Sequence, residues 1–348
     1  MFSTVKRIHF VGIGGIGMSG IAEILIDQGF QVSGSDLSEN ENTFHLSNLG
    51  AKIFIGHNEE NIKDAEVVVY SSAVNVNENP EIIEARKNGI PVIRRAEMLA
   101  EVTRLNYCLA ISGTHGKTTT TSMIGLILIK AGYDPTVIVG GRLKDFGGTN
   151  ARLGKGNWIV VEADEYDRSF LQLLPTIAIV NNIEAEHLDI YKDIEDLENT
   201  FTQFASKVPF YGFVALGVDS PGVKEIVPNL NKKVVTFGIS PNCDYFAKNI
   251  ENDGTNTTYD LYENSNFIGK IKLSVPGIHN VKNSLAAITI ARKMGIKFNI
   301  INAALGDFTG VYRRFDIKGE RNGIKVIDDY AHHPTEIQST LEAARKGW

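Results

Sequence analysis

Between Ala110 and Met123 the chain reads AISGTHGKTTTTSM. The apolar run Tyr107 to Ile111 stops at Gly113, and a Lys-Thr pair then opens a segment in which Met123, Ile124, Leu126 and Ile127 recur at helical spacing. A buried strand, a glycine turn and a helix in that order commit the region to an α/β unit. Backbone N–H groups of such a turn point inward, and the helix N-terminus adds partial positive charge. Lys117 is then able to reach the outer phosphates of a nucleotide while the Thr118 hydroxyl holds Mg²⁺. Gly113, Thr114, His115, Gly116, Lys117, Thr118 and Thr119 therefore read as a triphosphate cradle. It is a short one, because only two residues separate Gly113 from Gly116, where the usual phosphate loop is longer.

At 348 residues the chain is too long for one core, and roughly two or three domains are expected. A hydrophobic content of 43% with 22% charged residues suits a globular protein. The net charge of -6 and a pI near 5.8, with no basic cluster, argue against a general nucleic-acid binder. No apolar run reaches membrane-spanning length and no signal-peptide pattern precedes the first strand, so no membrane association and a cytoplasmic location are expected. Cys108 and Cys243 lie far apart without paired spacing, which suggests buried, inert thiols rather than a disulfide or zinc site.

Arg7 to Val11 reads as a strand running into Gly12-Ile13-Gly14-Gly15-Ile16-Gly17, followed by a helix with Met18, Ile21, Ile24 and Leu25 on its apolar face. A second strand, Gln31 to Ser35, ends in Asp36. This is the dinucleotide fingerprint of a Rossmann unit, and alone it suggests NAD. The physics asks only for a diphosphate at a helix N-terminus beside a ribose, which a UDP-sugar also satisfies. Strands follow at Lys52 to Ile55, Glu66 to Tyr70 and Pro91 to Ile93, with Ser71, Ser72 and Ala73 at a carboxyl end. His57 either faces the same crevice or lies in a solvated loop. A helix from Arg94 to Arg104 leads out of the domain.

The second domain begins near Asn106. Residues 137–150, VIVGGRLKDFGGTN, form either a ligand-contacting loop or a plain surface hairpin. Trp158 to Val161 is a buried strand ending in Glu162-Ala163-Asp164-Glu165, where a phosphate-loop enzyme places its Mg²⁺ ligand. The strand Thr176 to Val180 exits into Asn181-Asn182-Ile183-Glu184-Ala185-Glu186-His187, and His187 there is a metal-ligand candidate. A helix is expected over Leu197 to Lys207 and a strand over Phe213 to Gly217. Val234 to Leu273 alternates with turns, as antiparallel hairpins do. Asn280 and Asn283 open an alanine-rich helix, where they either read an adenine edge or cap the helix. A further helix is expected about Gly295 and Ile300 to Leu305. Tyr312-Arg313-Arg314-Phe315-Asp316 suits a phosphate or adenine contact near a hinge. Lys325 to Ile327 followed by Asp328 to Pro334 and a helix from Thr335 to Arg345 looks like the opening of a third α/β domain.

Taken together, GIGGIGMSG, SGTHGKTTTTSM, VVEADEYDRSFL, NNIEAEHLDIY, PGIHNVKNSLAA, YRRFD and DDYAHHPTE resemble, in order, the motifs of the Mur ligases, ATP-dependent amide-forming enzymes of peptidoglycan precursor synthesis. The resemblance implies an α/β chain in three parts: a Rossmann-like UDP-sugar domain over 1–105, a central ATPase domain over 106–313, and the start of a third Rossmann-like domain over 314–348. It further implies that L-alanine is joined to the lactyl carboxylate of UDP-N-acetylmuramic acid through an acyl phosphate, with ATP and Mg²⁺. A relative that attaches a recycled tripeptide to the same sugar shares most motifs. By the same likeness Lys117, Glu162 and His187 carry the chemistry, and Thr118, Glu162 and His187 hold metal. Asn280, Asn283, Arg314 and Asp329 hold ATP with the cradle, and Gly14, Gly15, Gly17, Asp36 and Ser72 hold the UDP moiety. Several relatives carry a carbamylated lysine shortly after the metal histidine. Here that neighbourhood reads Phe201-Thr202-Gln203 with no lysine until Lys207, so none is expected, and a carboxylate or water takes its place. Family members run on well past the length of this chain, so the expectation is a fragment of a longer protein or a non-catalytic UDP-sugar and ATP binder.

Overall fold

Short runs of Val, Ile and Phe, each interrupted by a glycine turn and an amphipathic helix, pair in parallel because the crossover helices cover both faces of the sheet. The computed structural model describes residues 5–104, 106–141, 144, 149–187 and 189–347. It divides into two units, Met1–Leu105 and Asn106–Trp348.

The first unit is a five-stranded parallel sheet of β1 (Arg7–Val11), β2 (Gln31–Asp36), β3 (Lys52–Ile55), β4 (Val67–Tyr70) and β5 (Val92–Arg94), in the order β3-β2-β1-β4-β5. The order reverses between β1 and β4, and the glycine turn after β1 sits at that switch point, where open α/β sheets bind ligands. The expected strand at Glu66 begins at Val67 instead. The Glu66 carboxylate accepts the amides of Lys6 and Arg7 at 2.6 and 2.9 Å and so works as a clasp outside the ladder. His57 is mostly buried, 2.9 Å from Ser35 Oγ, which also donates to the fully buried Glu81 at 2.6 Å.

The second unit is a ten-stranded sheet of β6 (Tyr107–Ser112), β7 (Thr136–Ile138), β8 (Ala151–Arg152), β9 (Trp158–Glu162), β10 (Ile177–Val180), β11 (Phe213–Gly217), β12 (Val234–Gly238), β13 (Tyr245–Asp253), β14 (Asn256–Glu263) and β15 (Asn266–Leu273). The order is β15-β14-β13-β12-β11-β10-β6-β9-β7-β8. Strands β7 to β12, apart from the edge strand β8, are parallel with β6, and β13 to β15 form an antiparallel meander; of the stretch Val234 to Leu273 expected as antiparallel hairpins, Val234–Gly238 is instead the parallel strand β12, beside β11 in the covered sheet. The helices Lys117–Lys130, Ile278–Lys293 and Phe298–Asp307 bury Met123, Ile127, Leu285, Ile288 and Leu305 in one core with the sheet. Gly295 ends the middle one of these helices with a positive φ of 80° and is not part of the next. Residues 142–143 and 145–148 of the glycine-rich stretch lie outside the described residues, as does Leu188.

The piece from Arg314 onward groups with the second unit. It holds β16 (Asp316–Arg321), β17 (Ile324–Asp328) and the helix Pro334–Gly347. The expected strand at Lys325 is part of an antiparallel hairpin whose other arm, DIKGER, is too polar to read as a strand. Its turn, Asn322-Gly323, has positive φ at both residues (53° and 78°), the preferred form for a tight hairpin. No described helix is long and apolar enough to cross a membrane.

Candidate active site

Strand β6 lies between β9 and β10, with Ile111 opposite Glu162 and Ser112 opposite Val180. The three chains therefore leave the sheet at one edge, and the side chains of their exits meet. Gly113 and Gly116 take φ of 132° and 80°, conformations that L side chains rarely adopt, so this turn needs glycine twice. Gly116 also abuts the Asn283 side chain, where a Cβ would clash. The exit of β10 ties the turn down: Asn182 accepts the amides of Thr114 and His115, and the Thr114 hydroxyl takes the Glu184 amide at 2.9 Å.

Beyond these ties, the amides of Gly116, Lys117, Thr118 and Thr119 have no acceptor among the described residues, and no acidic side chain sits in the helix's first turn. Four free donors on the positive end of a helix form a place for an anion. Lys117 lies over the turn. Its ammonium donates to the carbonyls of Gly113 and Thr114 at 2.8 and 3.3 Å and to both Glu165 oxygens at 2.9 and 2.7 Å. Burial pulls the ammonium towards neutrality, but the carboxylates of Glu165, Asp164 and Glu162 outweigh it, and its pKa is raised.

Thr118 Oγ1 donates to the Glu162 carboxylate at 3.0 and 3.1 Å, and the Gly140 amide donates to Glu162 at 2.8 Å. A hydroxyl and a carboxylate this close offer the hard oxygens a divalent cation prefers. His187 takes a left-handed backbone, φ 56°, and packs edge-on against Tyr166. Its possible ligand atoms lie within 4.8 Å of those of Glu165 and Glu186, a group that does not include Glu162. Glu165, passed over in the sequence except as one of a run of acids, is thus the residue that joins the Lys117 turn to His187. The clustering of three acids after an apolar strand was the available signal.

A cavity opens from this helix N-terminus towards the helices Ile278–Lys293 and Pro334–Gly347. His115, Gly116, Thr118, Thr119, Asn280, Asn283, Arg314 and Asp329 all line it, beside Phe237, Asp219 and Lys282, which sequence reasoning missed. Asp219 follows the carboxyl end of β11, a position the strand-end rule points to. Asn280 donates to the Pro276 carbonyl at 2.7 Å and is buried with Asn283. The oxygens of Asp329 are taken by the amides of Phe315 and Ala331 and the Thr340 hydroxyl. His115 bridges Glu184 at 3.5 Å and Glu336 at 3.2 Å. Burial works against its charge, yet the two carboxylates lift it to about 9. Glu336, despite burial, is held at about 2 by His115 and Arg314.

In the first unit, the Ser35 carbonyl accepts the amides of Gly12 and Ile13 at 2.8 and 3.0 Å, and Asp36 Oδ2 accepts the Gly14 amide at 2.8 Å. Asp36 thus braces the turn. Gly15 packs its α-carbon near the Gly12 carbonyl, Gly17 lies against Arg95, and Ser72 is exposed after β4.

Comparison with known proteins agrees along the whole length. Residues 7–107 match the family model described as Mur ligase family, catalytic domain, residues 111–291 the Mur ligase middle domain, and residues 313–348 the Mur ligase, glutamate ligase domain. A UDP-N-acetylmuramate--L-alanine ligase of Geotalea uraniireducens (strain Rf4) is 53% identical over 348 residues, covering 100% of this chain and 76% of the relative. One from Sulfurihydrogenibium sp. (strain YO3AOP1) is 53% identical over 98% of this chain and 74% of its own. Among solved structures, the UDP-N-acetylmuramate-alanine ligase of Thermotoga maritima is similar with a TM-score of 0.86 and 33% identity, over 98% of this chain and 78% of that one. Matched by three family models in order and by a relative at 53% identity over its whole length, the chain belongs to the Mur ligase family.

Proposed function

We propose that this chain activates the lactyl carboxylate of UDP-N-acetylmuramic acid with ATP and joins it to L-alanine, in the cytoplasm, as the first amino acid of a peptidoglycan precursor. Relatives at 50–53% identity that carry the L-alanine ligase name support the choice of substrates. The observation that carries the chemistry is the set of free amides over Gly116 to Thr119 with Lys117 above them. A carboxylate approaches a triphosphate only when negative charge is neutralised, and positioned donors supply that.

In this reading Gly113, Thr114, His115, Gly116 and Thr119 form the turn about the phosphates, and Lys117 exchanges Glu165 for the outer phosphates. Thr118 and Glu162 hold one Mg²⁺, which shields the triphosphate when bound. His187 with Glu165 and Glu186 suits a second cation, with carboxylates in place of a carbamylated lysine as its support. Asn280 and Asn283 face the adenine. Arg314 reaches ATP, and Asp329 fastens Phe315 next to it. Gly14, Gly15, Gly17 and Ser72 take the UDP moiety on a turn braced by Asp36. The segment 314–348 is read as the opening of a third domain that follows 106–313.

The test is phosphate release with UDP-N-acetylmuramic acid and either L-alanine or the tripeptide L-Ala-D-Glu-meso-diaminopimelate. The second substrate matters because a tripeptide ligase from Neisseria meningitides has a TM-score of 0.80 at 30% identity. Release with L-alanine alone is expected; turnover of the tripeptide alone shifts the assignment, and binding of both nucleotides without turnover leaves a binding protein.

A further inference from the structure

Arg95 is the first residue of the helix Arg95–Thr103, directly after β5, and it is partly buried. Its guanidinium lies against Gly17: Nη1 and Cζ are 2.8 and 3.4 Å from where a Cβ on that glycine would sit. A side chain at position 17 would push the end of the Arg95 side chain aside.

The electrostatics of this placement are unfavourable as they stand. Arg95 sits in the first turn of its own helix and against the first turn of Ile16–Asp27, and both termini carry partial positive charge. The helix Ile16–Asp27 has no acidic residue in its first turn and no side-chain cap. The acid in the first turn of the other helix, Glu97, is committed to the Arg94 amide at 2.7 Å. No carboxylate, carbonyl or aromatic ring among the described residues pairs with Arg95, and the Gly17 amide has no acceptor either. A side chain this long, ordered against a glycine and lacking a counter-ion, is arranged for an anion that comes from outside.

We propose that Arg95 is a substrate-binding residue whose guanidinium takes the diphosphate of the UDP-sugar at the glycine turn. The inference rests on the reading of that turn as the UDP site. A planar fork beside one free amide matches the oxygens of a phosphate, and it adds discrimination for UDP over uridine that backbone amides alone do not supply.

The experiment is calorimetric titration of the full chain, as wild type, Arg95→Ala and Arg95→Lys, with UDP, UMP and uridine at low and moderate salt. Expected is a loss of roughly tenfold or more for UDP in Arg95→Ala, partial retention in Arg95→Lys, and unchanged uridine binding. The salt dependence of UDP binding becomes shallower in Arg95→Ala. Without ligand, the melting temperature of neither variant should fall below that of wild type, since Arg95 makes no hydrogen bond whose loss strands a partner and its charge is unfavourable there. If wild type binds UDP and Arg95→Ala binds it equally well, or loses uridine as much as UDP, this inference falls and the glycine-turn reading stands. If wild type binds no UDP, both fall.

Discussion

Lys117 and Glu165 form a nearly buried ion pair, Nζ to Oε2 2.7 Å, directly above the turn where four amides lack acceptors. The side chains are 13% and 2% exposed. On the proposed function, Glu165 stands in for the phosphate anion, and a phosphate that enters takes Lys117 from it.

Glu165→Gln is expected to destabilise the nucleotide-free chain by about 3 kcal/mol, because a buried ammonium is left without its partner. Addition of Mg²⁺ and a non-hydrolysable ATP analogue should restore part of the loss, since a ligand of the folded state raises its stability. Urea midpoints with and without the analogue measure both, and equal midpoints for variant and wild type would count against the pairing.

Lys117→Ala should lower ADP release by roughly 10²–10³-fold, the scale seen when one preorganised donor is removed from a charged transition state. Binding of UDP-N-acetylmuramic acid should hardly change, because its proposed site belongs to the first unit. Coupled ADP assays and a binding titration on the same variant separate the two effects; unaltered ADP release refutes the assignment.

Glu162→Gln keeps the shape of the strand exit but removes the charge beside Thr118 Oγ1. Affinity for Mn²⁺ in the presence of a nucleotide analogue, followed by electron paramagnetic resonance, should fall roughly tenfold or more. Nucleotide binding without metal should be much less affected. A variant that holds Mn²⁺ as well as wild type places the cation elsewhere.

The His115–Glu336 contact should make docking of the helix Pro334–Gly347 depend on pH. His115 rises from 6.5 to about 9 on folding, so its contribution is complete below 6.5 and is lost as pH climbs through about 9. Glu336 falls from 4.5 to about 2, so its contribution is complete above 4.5 and is lost as pH drops through about 2. The window of full strength therefore runs from about pH 4.5 to 6.5. The difference in melting temperature between wild type and His115→Gln should hold its full size across that window and shrink on the way to pH 9. A difference that does not vary with pH rules out the ion pair.

Periodicity located the five parallel strands of the first unit, β6, β9, β10 and β11 of the second, and the glycine turns of both, because a buried strand must be apolar and the residue at a positive φ must be small; it missed the parallel strands β7, inside the glycine-rich stretch, and β12, which it merged with the hairpins after it. It located the meander of β13 to β15 as well, since one-sided burial shows as alternation. It did not mark β16, whose residues are mostly charged and exposed; only the Asn322-Gly323 turn betrays that hairpin. Nor did it separate Glu165 from Asp164. Both follow the same strand, and which acid faces Lys117 depends on the course of the backbone after Glu162.

What the chain order determined, then, was the kind of site: glycines that open a turn, a lysine and hydroxyls that follow it, acids at the ends of apolar strands. Those are local properties, written within a few residues of one another. Which of these groups meet was decided by sheet order, since β9 and β10 lie some fifty to seventy residues from β6 in the chain yet flank it on either side. Strand pairing over such separations depends on packing of the whole core, and no short window of sequence contains it.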